Sequence, residues 1–333
     1  VRKAKAAFVP EPGVPDLKRV LSREEIADLT TASDLRGLLS LAVTWGMIAG
    51  AFALVAWRPH PVTVAVALVV LGGRQLALAV LMHECSHRAL FRSRALNDHL
   101  GRWLCGAPIW QRLDDYRAHH MRHHNFTGTA RDPDLGLVTP FPTTCASVAR
   151  KLLRDLSGLS GLKRVAALLA MDLGFITYTA STTAERTDPR DWSLVDRLRS
   201  LLRHTGRTLL VNGVIFGVLW ATGQPLLYLL WAGAWLTTFS LFVRIRAMAE
   251  HACTAISPDV FANTRTVRAG WLARLVVCPH DVCFHLEHHL LMTVPHYKLR
   301  RMHELLTDRG ALEGSHVVDG YLTILRLVSA PAG

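Results

Sequence analysis

None of the six cysteines (Cys85, Cys105, Cys145, Cys253, Cys278 and Cys283) forms a C-x-x-C pair with another. That absence argues against a disulfide framework and against an iron–sulfur cluster. Free, scattered cysteines suit a reducing cytoplasmic face. No G-x-G-x-x-G fingerprint and no fused haem signature are present, so no built-in electron source is expected. Acidic residues are scarce, with 26 Asp and Glu against 38 Lys and Arg, for a net charge of +12. In a soluble domain that balance points to nucleic acid. Zinc-finger spacing, an RNP-like segment and a long basic run are all missing, which argues against that class. The first apolar run begins only near residue 37, so no cleavable leader is expected.

What is present is hydrophobic. Half of the 333 residues are apolar and the mean hydropathy is +0.22. The balance implies several membrane helices joined to a sizeable polar part. A basic, proline-rich arm over 1–20 precedes a single domain over 21–333, which opens with Ser22 and Glu25 at capping-box spacing. Four apolar runs follow, at 37–57, 62–82, 209–223 and 225–245, and read as two hairpins. The long stretch between the second and third runs is rich in arginine, whereas the two short links carry only Arg58. The positive-inside rule then places 83–206 and both termini in the cytoplasm of a multi-pass inner-membrane protein. Residues 162–181 are apolar but contain Asp172, and read as an interfacial helix rather than a span.

The 17 histidines concentrate in three boxes. His83 and His87 form H-x-x-x-H at the end of the second run. His120, His123 and His124 form H-x-x-H-H, and so do His285, His288 and His289. On a helix, positions i, i+3 and i+4 share a face, so each box can aim two or three imidazoles at one spot. Together the eight suffice for two metals with about four nitrogens each. The topology puts all three boxes on one side of the membrane, as convergence requires.

"HECSH" at 83–87 also matches the zinc-protease signature H-E-x-x-H, with Glu84 as general base. "DPDLG" at 132–136 could supply a further aspartate, but it lies in the polar loop rather than on a later span, and six box histidines would go unexplained. Read together, "HECSHRALF", "YRAHHMRHHNFTGTARDPD" and "HLEHHLLMTVPHYKL" resemble the membrane fatty acid desaturase superfamily, over about residues 70–305. The resemblance implies an all-α membrane fold of four spans under a cytoplasmic helical cap. It also implies two non-haem iron ions held mainly by histidine, with O2 as co-substrate, and desaturation of a fatty acyl lipid chain. It adds His251, in "RAMAEHACT", to the ligand set, and leaves Ala247 where one branch of the superfamily has an asparagine.

Glu84, Glu250, Glu287, Asp134 and Asn125, with Asp132 nearby, are then candidates to hydrogen-bond the ligating histidines and fix their tautomers. Arg74, Gln75, Trp103 and Trp110 are candidates for the substrate tunnel, against the plainer readings of a buried pair and of interfacial tryptophans. His119, His280, His296 and His303 read as surface residues, and 295–307 as a basic amphipathic helix lying on the inner leaflet. Electrons are expected from an external carrier, such as a ferredoxin, docked on the basic face. A hydroxylase or carotenoid-type oxygenase is the close alternative. An intramembrane zinc protease and a metal-binding or transport protein are the remoter ones.

Overall fold

The computed structural model describes residues 17–181, 185–187 and 192–329. Most of the expected arm, residues 1–16, lies outside them. At its end, Leu17–Val20 is a short helical turn. The capping box is formed: the Ser22 hydroxyl accepts from Glu25 N, and the Glu25 carboxylate accepts from Ser22 N at 2.8 Å. It starts α1 (Arg23–Thr30).

Ser33 caps α2 (Asp34–Trp57), and Pro61 opens α3 (Pro61–Ser86) with a residue whose missing N–H costs nothing there. At 24 and 26 residues, both exceed the roughly 30 Å of hydrocarbon at about 1.5 Å per residue. After α3 the chain turns back through a π-helical turn at Gly101–Gly106 and a 3-10 turn at Ala107–Ile109, and reaches α4 (Leu113–Phe126). The antiparallel pair α5 (Cys145–Leu156) and α6 (Leu159–Asp172) follows, hinged at Gly158 with φ +82°. With 14 residues, α6 is about 21 Å long and too short to cross a bilayer. Residues 175–181 leave the helix, and Ile176 bridges to Arg186.

The expected third run, 209–223, is the C-terminal half of α7 (Leu194–Ala221). Its N-terminal half carries Arg197, Arg199, Arg203 and Arg207. The fourth run is broken. α8 (Tyr228–Leu236) and α9 (Thr238–His251) meet at Thr237, with φ −110° and ψ −87°. Among the described residues three segments are long and apolar enough to cross a membrane: Asp34–Trp57, Pro61–Ser86 and Pro225–His251. α7 is not one of them, because its apolar half is short and its other half is charged.

The remaining chain forms the cap: β1 (Arg265–Arg268), α10 (His285–Leu290), α11 (His296–Asp308), β2 (His316–Asp319) and α12 (Gly320–Ser329). The two strands pair in parallel, Arg265 opposite His316. α11 is amphipathic as expected, but Leu299, Met302 and Leu306 are buried in the protein. Its apolar face is therefore covered by protein and not by a leaflet.

α3 is the central post. From Leu71 to Ser86 nearly every side chain is buried, as a helix apolar on all sides must be. Gly72 and Gly73 allow the closest approaches: a Cβ on Gly72 would lie 2.8 Å from Phe239 N, and one on Gly73 would lie 2.9 Å from Val276 Cα. Arg74 and Gln75 follow directly. Arg74 donates to Leu275 O, and Gln75 Nε2 to Trp231 O at 2.9 Å. They pin the post to its neighbours. Gly72→Val should cost about 1–3 kcal/mol through overpacking. In detergent it should lower the thermal midpoint and the recovered monodisperse protein, and an unchanged midpoint would refute the close-packing account.

Candidate metal centre

The three boxes meet where the ends of α3 and α9 come together with α4 and α10. The end of α3 and its C-cap supply His83 and His87, α4 supplies His120, His123 and His124, the end of α9 supplies His251, and α10 supplies His285, His288 and His289. The nitrogens fall into two groups. His83, His87, His120, His124 and His288 form the first, and His123, His251, His285 and His289 the second. Within each group the nitrogens lie within 4.8 Å of one another.

The spacing of the boxes explains this sorting. In α4 the i and i+4 residues, His120 and His124, join the first group, and the i+3 residue, His123, crosses to the second. α10 mirrors it: His285 and His289 join the second group, and His288 crosses to the first. Each H-x-x-H-H box thus serves both groups, which simple face-sharing does not anticipate.

Two observations show that these nitrogens fit metal ions. Both ring nitrogens of His83 and of His87 are buried without a hydrogen-bond partner. Orphaned polar atoms of this kind are costly unless something satisfies them. Further, Nε2 atoms crowd together: His120 to His124 at 3.0 Å, His124 to His288 at 3.1 Å, His251 to His285 at 2.9 Å and His285 to His289 at 3.1 Å. Nitrogens roughly 3.0 Å apart could share one metal ion at about 2.1 Å from each.

Neighbouring groups set the tautomers. His251 Nδ1 lies 2.9 Å from Asn263 O, and so must donate, which leaves the Nε2 lone pair for the cluster. His123 Nδ1 faces Asp132 Oδ1 at 2.8 Å, with Asp134 Oδ2 at 3.7 Å. Glu250, held by Arg246 Nε at 2.6 Å, stands 3.4 Å from His285 Nδ1. Glu84 lies 3.4 Å from His83 Nδ1, and its other oxygen accepts the His296 N–H at 2.8 Å. Glu287 does not support a box histidine. It accepts from Thr266 and His303, tying α10 to β1 and α11. Asn125 is exposed, on the side of α4 turned away from the clusters, and does not fit a supporting role.

The histidines expected at the surface are in fact inside or hydrogen-bonded. His119 is buried, with Nε2 2.9 Å from Asp134. His296 is buried against Ser40, and His280 meets Thr44, each at 3.0 Å. His303 Nδ1 lies 2.6 Å from Glu287. Only long-range packing distinguishes these residues from surface histidines. In the sequence, the one signal was the proximity of His119 and His296 to boxes or to their helices.

A cavity of about 240 Å³ reaches His120, His123, His251 and His285. Leu76, Met82, Phe239 and Val243 give it apolar walls, and Tyr116, Arg246 and Ala247 border it nearer the histidines. None of the four tunnel candidates lines it. Arg74 and Gln75 are spent on backbone carbonyls. Trp110 stacks on Trp235 and donates to Asp172 at 3.0 Å. Trp103 faces a separate apolar groove between α2 and α7.

Burial pushes His120, His285, His288 and His289 well below the ordinary imidazole value, and takes His124 down to about 2. His123 goes the other way: burial lowers it, but Asp132 and Asp134 outweigh that and raise it. A histidine with a depressed folded pKa takes up its proton more readily in the unfolded chain. Its stability contribution is therefore present above an unfolded pKa of about 6.5 and is lost as pH falls below it. His123 contributes with opposite sign but is outnumbered. The metal-free protein should lose on the order of several degrees in thermal midpoint between about pH 7.5 and 5.5. A flat profile measured by intrinsic fluorescence would rule this out.

With the geometry established, comparison with known proteins is direct. The sequence profile of the fatty acid desaturase family matches residues 57–319, a range holding every histidine of the two clusters. Dihydrorhizobitoxine desaturase of Bradyrhizobium elkanii is 25% identical over 296 residues, covering 83% of this chain and 77% of that protein. The profile spans most of the chain, so the chain belongs to the fatty acid desaturase family.

Proposed function

We propose that the chain is a membrane-bound, O2-dependent desaturase that places a double bond in an acyl chain, with one iron ion at each histidine cluster. The carrying observation is the pair of clusters, five and four imidazoles, converging at the mouth of one cavity. Two adjacent clusters exceed a single zinc site, and the five imidazoles of the first exceed the four ligands that zinc takes. Bound iron supplies the activation of O2 that attack on an unactivated C–H bond requires.

The chain does the rest. Asp132 and Asn263 O hold His123 and His251 in register, and Arg246 holds Glu250 toward His285. Leu76, Met82, Phe239 and Val243 line the path for an alkyl segment and keep water from the reacting carbon. Glu84 is engaged with the His296 backbone, which disfavours its use as a protease base. The ligands gather at helix ends rather than along the spans, which disfavours transport. Hydroxylation on the same scaffold is the close alternative. In this reading the C-terminal half of α7 completes a fourth span, and the site faces the cytoplasm of the inner membrane. An acidic electron carrier docks on the arginine-rich surface.

Purified protein should contain about two irons per chain, and one zinc in their place would refute the proposal. His123→Ala should remove metal and abolish turnover, whereas Glu84→Gln should keep metal and measurable turnover. Gas chromatography of products from an expressing host should show an alkene; an alcohol would assign the hydroxylase. Carrier-supported turnover should fall several-fold as ionic strength rises from about 0.05 to 0.5 M with iron content constant. Salt-insensitive turnover would remove the electrostatic docking.

A further inference from the structure

The cavity at the histidine clusters has one wall suited to methylenes and another suited to an anion. Arg246 provides the second. It sits on α9 one turn before Glu250, with its side chain only 14% exposed. Its Nε donates to Glu250, and among the described residues its two Nη groups meet no protein acceptor. Three carboxylates also border the cavity, but each is engaged: Asp132 by His123, Asp134 by His119 and Glu250 by Arg246. Two guanidiniums border it as well: Arg164, which donates to Trp235 O, and Arg246, whose Nη groups remain open. A guanidinium with free N–H groups in a fork matches a carboxylate in shape and charge.

The dimensions agree. A volume of about 240 Å³ falls below the roughly 300–1,000 Å³ typical of drug-sized ligand sites. The larger apolar space, a groove of about 580 Å³ walled by Trp45, Phe52, Trp103, Leu210, Val214 and Leu219, contains no histidine. That groove has the room a long chain needs, but away from the clusters. Arg246 precedes His251 by five residues on one helix, about 7.5 Å along the axis. A carboxylate on Arg246 thus brings the first few carbons of a short chain to the centre.

We infer that the substrate is a compact free acid whose carboxylate docks on Arg246, rather than the acyl chain of an intact membrane lipid. The inference rests on the desaturase reading of the same site and names its substrate class.

The test is calorimetric titration of the full, metal-loaded chain in lipid nanodiscs with hexanoate and methyl hexanoate, against empty discs. The acid should bind roughly tenfold or more tighter than the ester. Arg246→Gln should remove that difference in samples matched for metal content, and Arg246→Lys should keep part of it. Ala247→Leu, which fills the cavity without touching the charge, should weaken both ligands. Equal binding of acid and ester by the unaltered protein overturns the inference, as does discrimination that survives in Arg246→Gln. Alkenes in host phospholipids together with equal binding would overturn it and leave the desaturase reading standing. Tight hexanoate binding with no alkene from any acid would do the reverse.

Discussion

Nine imidazoles must point lone pairs at two small volumes from which water is excluded. Neutral rings with buried, unpartnered nitrogens are unfavourable unless a cation takes up the lone pairs. The rest of the molecule holds that arrangement in place. α3 is buried on all sides so that His83 and His87 emerge at a fixed depth. Two glycines bring its neighbours close, and Arg74 and Gln75 fasten them through main-chain carbonyls. The carboxylates and the Asn263 carbonyl then set ring orientation, each acting on a nitrogen that faces away from its cluster.

The break at Thr237 joins the membrane part to the cap. Side chains on both sides of the break hydrogen-bond to nearby carbonyls. Arg164 donates to Trp235 O while lying over the Trp235 and Phe239 rings, and Thr237 donates to Gly233 O at 2.6 Å. Thr238 reaches across to Leu68 O on α3 at 2.6 Å. The redirected α9 presents Phe239, Val243, Arg246, Glu250 and His251 along the cavity. The same face carries apolar wall, cation and ligand at successive turns.

How much of this was legible in the sequence depended on range. The boxes, the capping box at Ser22 and the absence of a span over 162–181 follow from local spacing and hydropathy. The resemblance placed His251 beside the clusters. The division of each box between two groups was not legible, because it depends on where the other helices stand. The extension of 209–223 into an arginine-bearing 28-residue helix was hidden by its change of composition midway. The work of Arg74 and Gln75 as pins, of Glu287 as a tie to β1 and α11, and of Arg246 in the cavity requires partners far along the chain. His280 and His303 carry no local mark of their partners, and His119 and His296 carry only their nearness to the boxes.

The crossing of the two H-x-x-H-H boxes has a consequence for assembly. Because α4 and α10 each give two rings to one cluster and one ring to the other, neither helix can settle for one ion without settling for both. On the proposed reading, the first ion to arrive bears the ordering cost of both helices and the second finds its cage already built. Loading is then cooperative. A population starved of metal would divide into complete and empty molecules, with few half-filled centres able to admit O2 while lacking the partner needed to use it safely.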